Sequence, residues 1–226
     1  MEKVGFIGAF DKSNLIMYVA KVLTYLGHRV LIIDTTVLQK VRYIAPSITP
    51  TKSYIADLED IDIAIGFKNM TEIERYLGIS ETSMPYDCAL IDIESYEALE
   101  QFDIENVNKN FFVTGFDLYS LRKGLSILER IQVPIKLTKV LCRYELNEED
   151  ENFFNYLSMD CKVNWGEYSI YLPYTDEDTQ AIEENQRMYQ IRIKKLSMNF
   201  QDGIMYIVQE ILDEKNLGRI KKAIKE

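Results

Sequence analysis

The chain has 226 residues, 47% of them hydrophobic, enough for one large α/β domain with a substantial core. Lys and Arg total 26 against 36 Asp and Glu, and the resulting charge of −10 argues against specific or general nucleic-acid binding, where phosphate contacts supply most of the affinity. Three widely spaced cysteines (Cys88, Cys142, Cys161) and a single His28 exclude the common zinc frameworks and a disulfide scaffold.

The opening MEKVGFIG reads as a strand over 3–8 rather than as a signal peptide. No apolar run reaches the roughly 18 residues of a membrane span, so a cytoplasmic location is expected. Leu15, Ile16, Val19, Leu23 and Leu26 then recur at helical spacing, and Gly27 closes that helix. RVLIID (29–34) is a short apolar run, read as a strand buried on both faces. Residues 35–58 read as loop and 60–66 as a third strand. Thr71 and Glu74 have the spacing of a capping box opening a short helix that stops at Gly78.

CALIDI (88–93) is a fourth strand, followed by a helix lined by Tyr96, Leu99 and Phe102. FFVTG (111–115) is a fifth, after which Asp117 caps a helix with Leu118, Leu121, Leu125 and Leu128 on one side. A sixth strand spans 134–141. Asn147 precedes Glu148, Glu149, Asp150 and Glu151, a run that suits the positive end of a helix dipole better than a metal site. A last strand (168–174) and two helices, near 176–195 and 198–214, complete the pattern. The alternation predicts an α/β fold with a mostly parallel central sheet of about seven strands, flanked by helices on both faces. One domain covers 1–214, with a short basic tail at 215–226. In that tail Leu217, Ile220 and Ile224 oppose Arg219, Lys221, Lys222 and Lys225. This suits either weak peripheral contact with anionic lipid or a frayed extension of the last helix.

Ligands of such sheets bind at the carboxyl ends of the strands, which directs attention to Gly8–Ser13, Asp34, Gly66, Asp92 and Gly115. The first of these reads F-I-G-A-F-D-K-S from Phe6 to Ser13. Lys12 and Ser13 stand where a phosphate loop needs a cation for the terminal phosphates and a hydroxyl for magnesium, at a helix N-terminus. Phe6 and Asp11 stand where that pattern has glycine. Asp11 reads either as an N-cap or as a carboxylate facing a polyanion. In the second case, like charges about 4 Å apart cost on the order of 4 kcal/mol at a dielectric of about 20. Asp34 and Asp92 end buried strands, as magnesium ligands or as solvated strand ends.

Taken together, VGFIGAFDKSN, HRVLIID, MPYDCALIDI, NFFVTGFDLYSL and YLPYTDEDTQAIEENQ resemble the ParA/MinD group of P-loop ATPases, with its deviant Walker A loop. The resemblance implies a P-loop NTPase-like fold that binds ATP through Gly8, Ala9, Phe10, Asp11, Lys12, Ser13 and Asn14. It further implies Mg2+ on Ser13 and Asp92, a catalytic role for Asp34, and a homodimer across the carboxyl edge of the sheet. The pattern departs where the family's signature lysine falls on Ile7 and the second Asp of its D-x-D on Thr36. Its adenine-side Asn falls near Cys142 or Arg143. A degenerate member is therefore expected: a homodimeric scaffold or positioning factor for a larger assembly of partner proteins, of the partition, cell-division, pilus or secretion type, with weak or absent nucleotide binding. The alternative is an ATP-dependent dimerisation switch with slow Mg2+-dependent hydrolysis.

Overall fold

Short apolar runs too brief for helices become strands covered on both faces, and the periodic segments between them supply the cover. The computed structural model describes residues 1–46, 51–79, 83–107, 109–214 and 217–225. Eight strands form one sheet: β1 (Glu2–Ile7), β2 (Val30–Asp34), β3 (Tyr54–Leu58), β4 (Ile61–Ile65), β5 (Cys88–Ile93), β6 (Asn110–Thr114), β7 (Ile135–Leu141) and β8 (Val163–Tyr171). Their order is β3-β4-β2-β5-β1-β6-β7-β8, and every neighbouring pair is parallel except β3 with β4. All five residues of β2 and all six of β5 are buried. These strands therefore lie at the centre, and their tips fall at one edge.

Helices cover both faces. One core cluster joins α1 (Ser13–Tyr25), α7 (Asp176–Met188), α8 (Met198–Leu212) and α9 (Leu217–Ile224) to one side of the sheet. The other gathers α3 (Met70–Tyr76), α4 (Tyr96–Gln101), α5 (Leu118–Leu128) and α6 (Glu148–Leu157) on the opposite side. The short α2 (Val41–Ile44) packs Val41 into the first cluster. Among the described residues, no helix is long and apolar enough to cross a membrane.

Several boundaries differ from the sequence reading. The sheet has eight strands because β3, inside the expected loop 35–58, pairs antiparallel with β4 across the two-residue turn Glu59–Asp60. The last strand lies earlier than 168–174, and its pairing with β7 slips: Leu137 faces Trp165, yet Lys139 already faces Ser169. The cap of α3 is Asn69, whose side chain accepts from Glu72 N, not Thr71. The caps of Asp117 on α5 and Asn147 on α6 are as expected. The helix expected over 176–195 ends at Met188, where Tyr189 takes a left-handed conformation.

The tail is largely helical. Residues 215, 216 and 226 lie outside the described residues, but 217–224 form α9. Ile220, Ala223 and Ile224 are buried against the fold, beside α8 and α1. The apolar residues expected to meet lipid, Ile220 and Ile224, are packed against the protein in this structure.

Candidate functional site

The site is built where β1 turns into α1. Gly8 follows β1 with φ +146°, and a Cβ there would meet Val113 O of β6 at 2.2 Å, so only glycine lets the chain pass over the neighbouring strand. Gly8 N donates to Ile93 O at the end of β5. The loop then rises through Ala9 and Phe10 to Lys12 and Ser13 at the start of α1.

The Lys12 side chain is buried, 2% exposed, and its ammonium donates to Gly8 O at 2.7 Å. It also lies 2.6 Å from Asp92 Oδ1, whose side chain is 4% exposed. That oxygen nonetheless receives no aligned hydrogen bond. Burial drives the pKa of Asp92 up to about 6; Lys12 pulls it the other way, and Asp34 adds to the rise. Asp34 and Asp92 are register partners on the adjacent parallel strands β2 and β5. Asp34 Oδ1 accepts from Thr36 N at 2.9 Å and from the Thr36 hydroxyl at 2.7 Å, while its Oδ2 is buried without a partner. Thr36 occupies the position where the family pattern has a second Asp, and here it satisfies the first. Thr35 ties the strand tips together, its hydroxyl donating to Asp92 O at 2.5 Å.

Asp11 does not cap α1 from the N-cap position, which Lys12 holds without a side-chain cap bond. Its Oδ1 accepts from Ser13 N at 3.2 Å, and its Oδ2 lies 2.8 Å from Lys40 Nζ, just before α2. Burial raises its pKa, but the bonds from Lys40 and Ser13 outweigh this and hold the carboxyl below its usual range. A backbone donor that a phosphate oxygen would use at a helix N-terminus is therefore already taken by a carboxylate of the chain itself.

The remaining expected residues divide. Phe10 borders the cleft, but its ring leans on Tyr174 at 6.1 Å and rests above Gly115, where a Cβ would come within 3.1 Å of it. The Asn14 side-chain oxygen accepts from Gln186 on α7 at 2.9 Å. Near the place of the adenine-side Asn, Arg143 is engaged with Asp150 at 2.9 Å and lies over the Phe116 ring at 4.6 Å.

The loop and the strand tips border a cleft of about 190 Å³ lined by Ala9–Ser13, Thr36, Leu38, Lys40, Asp92, Glu94 and Tyr119. Sequence reasoning missed Lys40 and Tyr119, which lie far from the loop in the chain and carry no motif of their own. For Mg2+, the donor chemistry of the lining is suitable. Ser13 and Asp92 supply hard oxygens to the cleft, and the Oδ2 of the neighbouring Asp34 is buried without a hydrogen-bond partner. Among the described residues no group of three or more His, Cys, Asp or Glu is placed to hold a metal, so protein ligands alone do not complete a shell. The anion seat fits less well, because Asp11 fills one of its donors.

No family model matches the sequence, and no curated protein matches it. Solved structures do match. A chain of the MinC:MinD cell division protein complex of Aquifex aeolicus aligns with TM-score 0.62 at 12% identity, over 96% of this chain and 97% of that one. A putative plasmid partition protein of Borrelia burgdorferi bound to AMPPNP gives 0.56 at 12% identity, over 93% and 97%. The ATP complex of an McdA from Cyanothece gives 0.56 at 10% identity, over 96% and 98%. The chain therefore has the ParA/MinD-type P-loop ATPase fold.

Proposed function

We propose that this chain is a positioning or scaffold protein built on the ParA/MinD-type fold, acting as a homodimer with weak or absent nucleotide binding. The observation that carries this reading is the engagement of the anion-binding groups by the protein itself. Lys12 is held by Gly8 O and Asp92, and Ser13 N by Asp11. A nucleotide tail must break these contacts and lie against the Asp11 carboxylate, whose charge opposes it.

In this reading the two copies meet across the carboxyl edge of the sheet. Val37 (85% exposed), Leu38 (65%), Leu118 (55%) and Tyr119 (65%) stand out from the rim of the cleft. Such exposed apolar side chains grouped beside a polar cleft suit an interface. In the positioning role, a larger assembly of partner proteins would be recruited by this dimer, without nucleic acid.

A second reading, an ATP-dependent dimerisation switch with slow hydrolysis, is favoured by one observation: the buried, unpartnered Oδ2 of Asp34, the register partner of Asp92. When bound, Mg2+ supplies charge neutralisation for phosphate oxygens; Ser13 and Asp92 would hold it and Asp34 would orient its waters. The cleft lining carries two lysines against three carboxylates, so ATP would enter only with its metal.

Isothermal titration of the full chain with Mg·ATP separates the readings. The scaffold predicts no binding at millimolar ATP and a dimer in sedimentation without nucleotide. Saturable binding by the wild type at micromolar ATP, with dimer formation only in its presence, overturns the scaffold and establishes the switch.

A further inference from the structure

The segment after β2 is anchored at two points. At its start, Thr36 is fixed on Asp34 through backbone and hydroxyl, and Gln39 N donates to the Thr36 hydroxyl at 3.1 Å. At its end, Lys40 reaches across 29 positions of sequence to Asp11 at 2.8 Å. Between the anchors Val37 and Leu38 are thrust outward, 85% and 65% exposed. Gln39 takes a left-handed φ of +45°, a conformation that a non-glycine residue keeps only where its surroundings hold it.

We propose that Asp11 and Lys40 form a latch that locks the 35–40 segment onto the phosphate loop, with the Asp11 carboxylate doing from within the chain what a bound anion does in a nucleotide switch. The inference rests on the placement of the nucleotide site in the preceding subsection. Switch segments are commonly ordered by phosphate and metal contacts and released when those are lost. Here one carboxylate contacts both parts, since Ser13 N binds one oxygen and Lys40 the other. The segment is therefore held in its presenting position without a ligand, and its two apolar side chains remain available at the rim at all times. A loop whose order came from nucleotide would expose them only in the bound state. The latch thus accounts for a fold of the switching type that works constitutively.

Lys40 and Asp11 are 48% and 39% exposed at their side chains, so the ion pair is salt-sensitive and its removal leaves the core intact. The test is amide hydrogen exchange at Thr36 and Gln39 in the full chain, free of nucleotide and metal, at low ionic strength. Asp11→Ala and Lys40→Ala are each expected to speed exchange by about threefold to fivefold, the range open to an exposed pair. The double variant is expected to exchange no faster than the faster single one, because both changes break the same contact. Equal exchange in wild type and variants overturns the latch, as does a double variant whose effect is the product of the singles. A Mg·ATP titration of the same samples keeps the two claims apart. Binding by the wild type overturns the scaffold reading, while the exchange data alone decide the latch.

Discussion

Lys12 and Asp92 meet at 2.6 Å with both side chains almost wholly buried, one at the start of α1 and the other at the tip of β5. Removing one member of such a pair strands the other charge in the interior. Lys12→Ala is expected to destabilise the fold by about 3–5 kcal/mol, read by urea denaturation. A loss below about 1 kcal/mol would show that water reaches the pair.

The same carboxylate makes stability depend on pH. Asp92 has its pKa raised from 3.8 to about 6, so the native state holds its proton over a range where the unfolded chain has released it. Below about pH 4 both states hold the Asp92 proton, so its ionisation takes nothing from stability there. Stability is lost as pH rises from about 4 to 6, by about 3 kcal/mol, and stays lost above that. Urea denaturation across this window in the presence of chelator, wild type against Asp92→Asn, isolates the effect. A wild-type profile parallel to that of the variant would sink it.

Phe112 is fully buried and meets Phe154 at 6.2 Å and Trp165 at 5.7 Å, joining β6, α6 and β8. Phe112→Ala is expected to cost about 3–5 kcal/mol. Trp165 is the only tryptophan, so its fluorescence reports this cluster directly. A red shift of its emission in the folded variant would mark water entering the gap, and an unchanged spectrum with unchanged stability would contradict the packing described.

Ile220 is fully buried in α9, so Ile220→Asp is expected to destabilise the protein by about 3 kcal/mol or more. The wild-type chain is expected to stay in the supernatant with sedimented anionic vesicles, even at low salt. Co-sedimentation of the folded wild type would require α9 to leave its seat.

Leu38 lines the cleft and is 65% exposed, and its neighbour Val37 is 85% exposed. Val37→Asp with Leu38→Asp is expected to shift sedimentation from dimer to monomer with thermal stability unchanged to within about 0.5 kcal/mol. A dimer that survives this pair places the interface elsewhere.

Much of the sheet is legible in the sequence because its central strands are doubly buried and read as unbroken apolar runs, as in Val30–Asp34 and Cys88–Ile93. Strand β3 is not, for a local reason. Its turn, Glu59–Asp60, has positive φ at both residues without a glycine or asparagine to announce it. Tertiary contacts hold that turn instead: Lys21 binds Glu59 through both backbone oxygen and carboxylate, and Ile191 N donates to the same side chain. The alternation Tyr54-Ile55-Ala56-Asp57-Leu58 was the signal available. In the site, Lys12, Asp34 and Asp92 follow from strand ends and loop position. The partners that decide their state, Thr36 on Asp34 and Lys40 on Asp11, depend on how separate loops fold back. No local spacing encodes such a meeting.

The slipped register between β7 and β8 bears on how these molecules behave at high concentration. Three residues of β8, Gly166 to Tyr168, lie between the partners of Leu137 and Lys139, where β7 has one. The outermost ribbon is thereby kinked, with Glu167 and Tyr168 turned to solvent. A flat border would offer a continuous row of amides for another molecule to copy and extend; a kinked one with a charge at its bend does not. Edge-to-edge pairing of copies is disfavoured along this side.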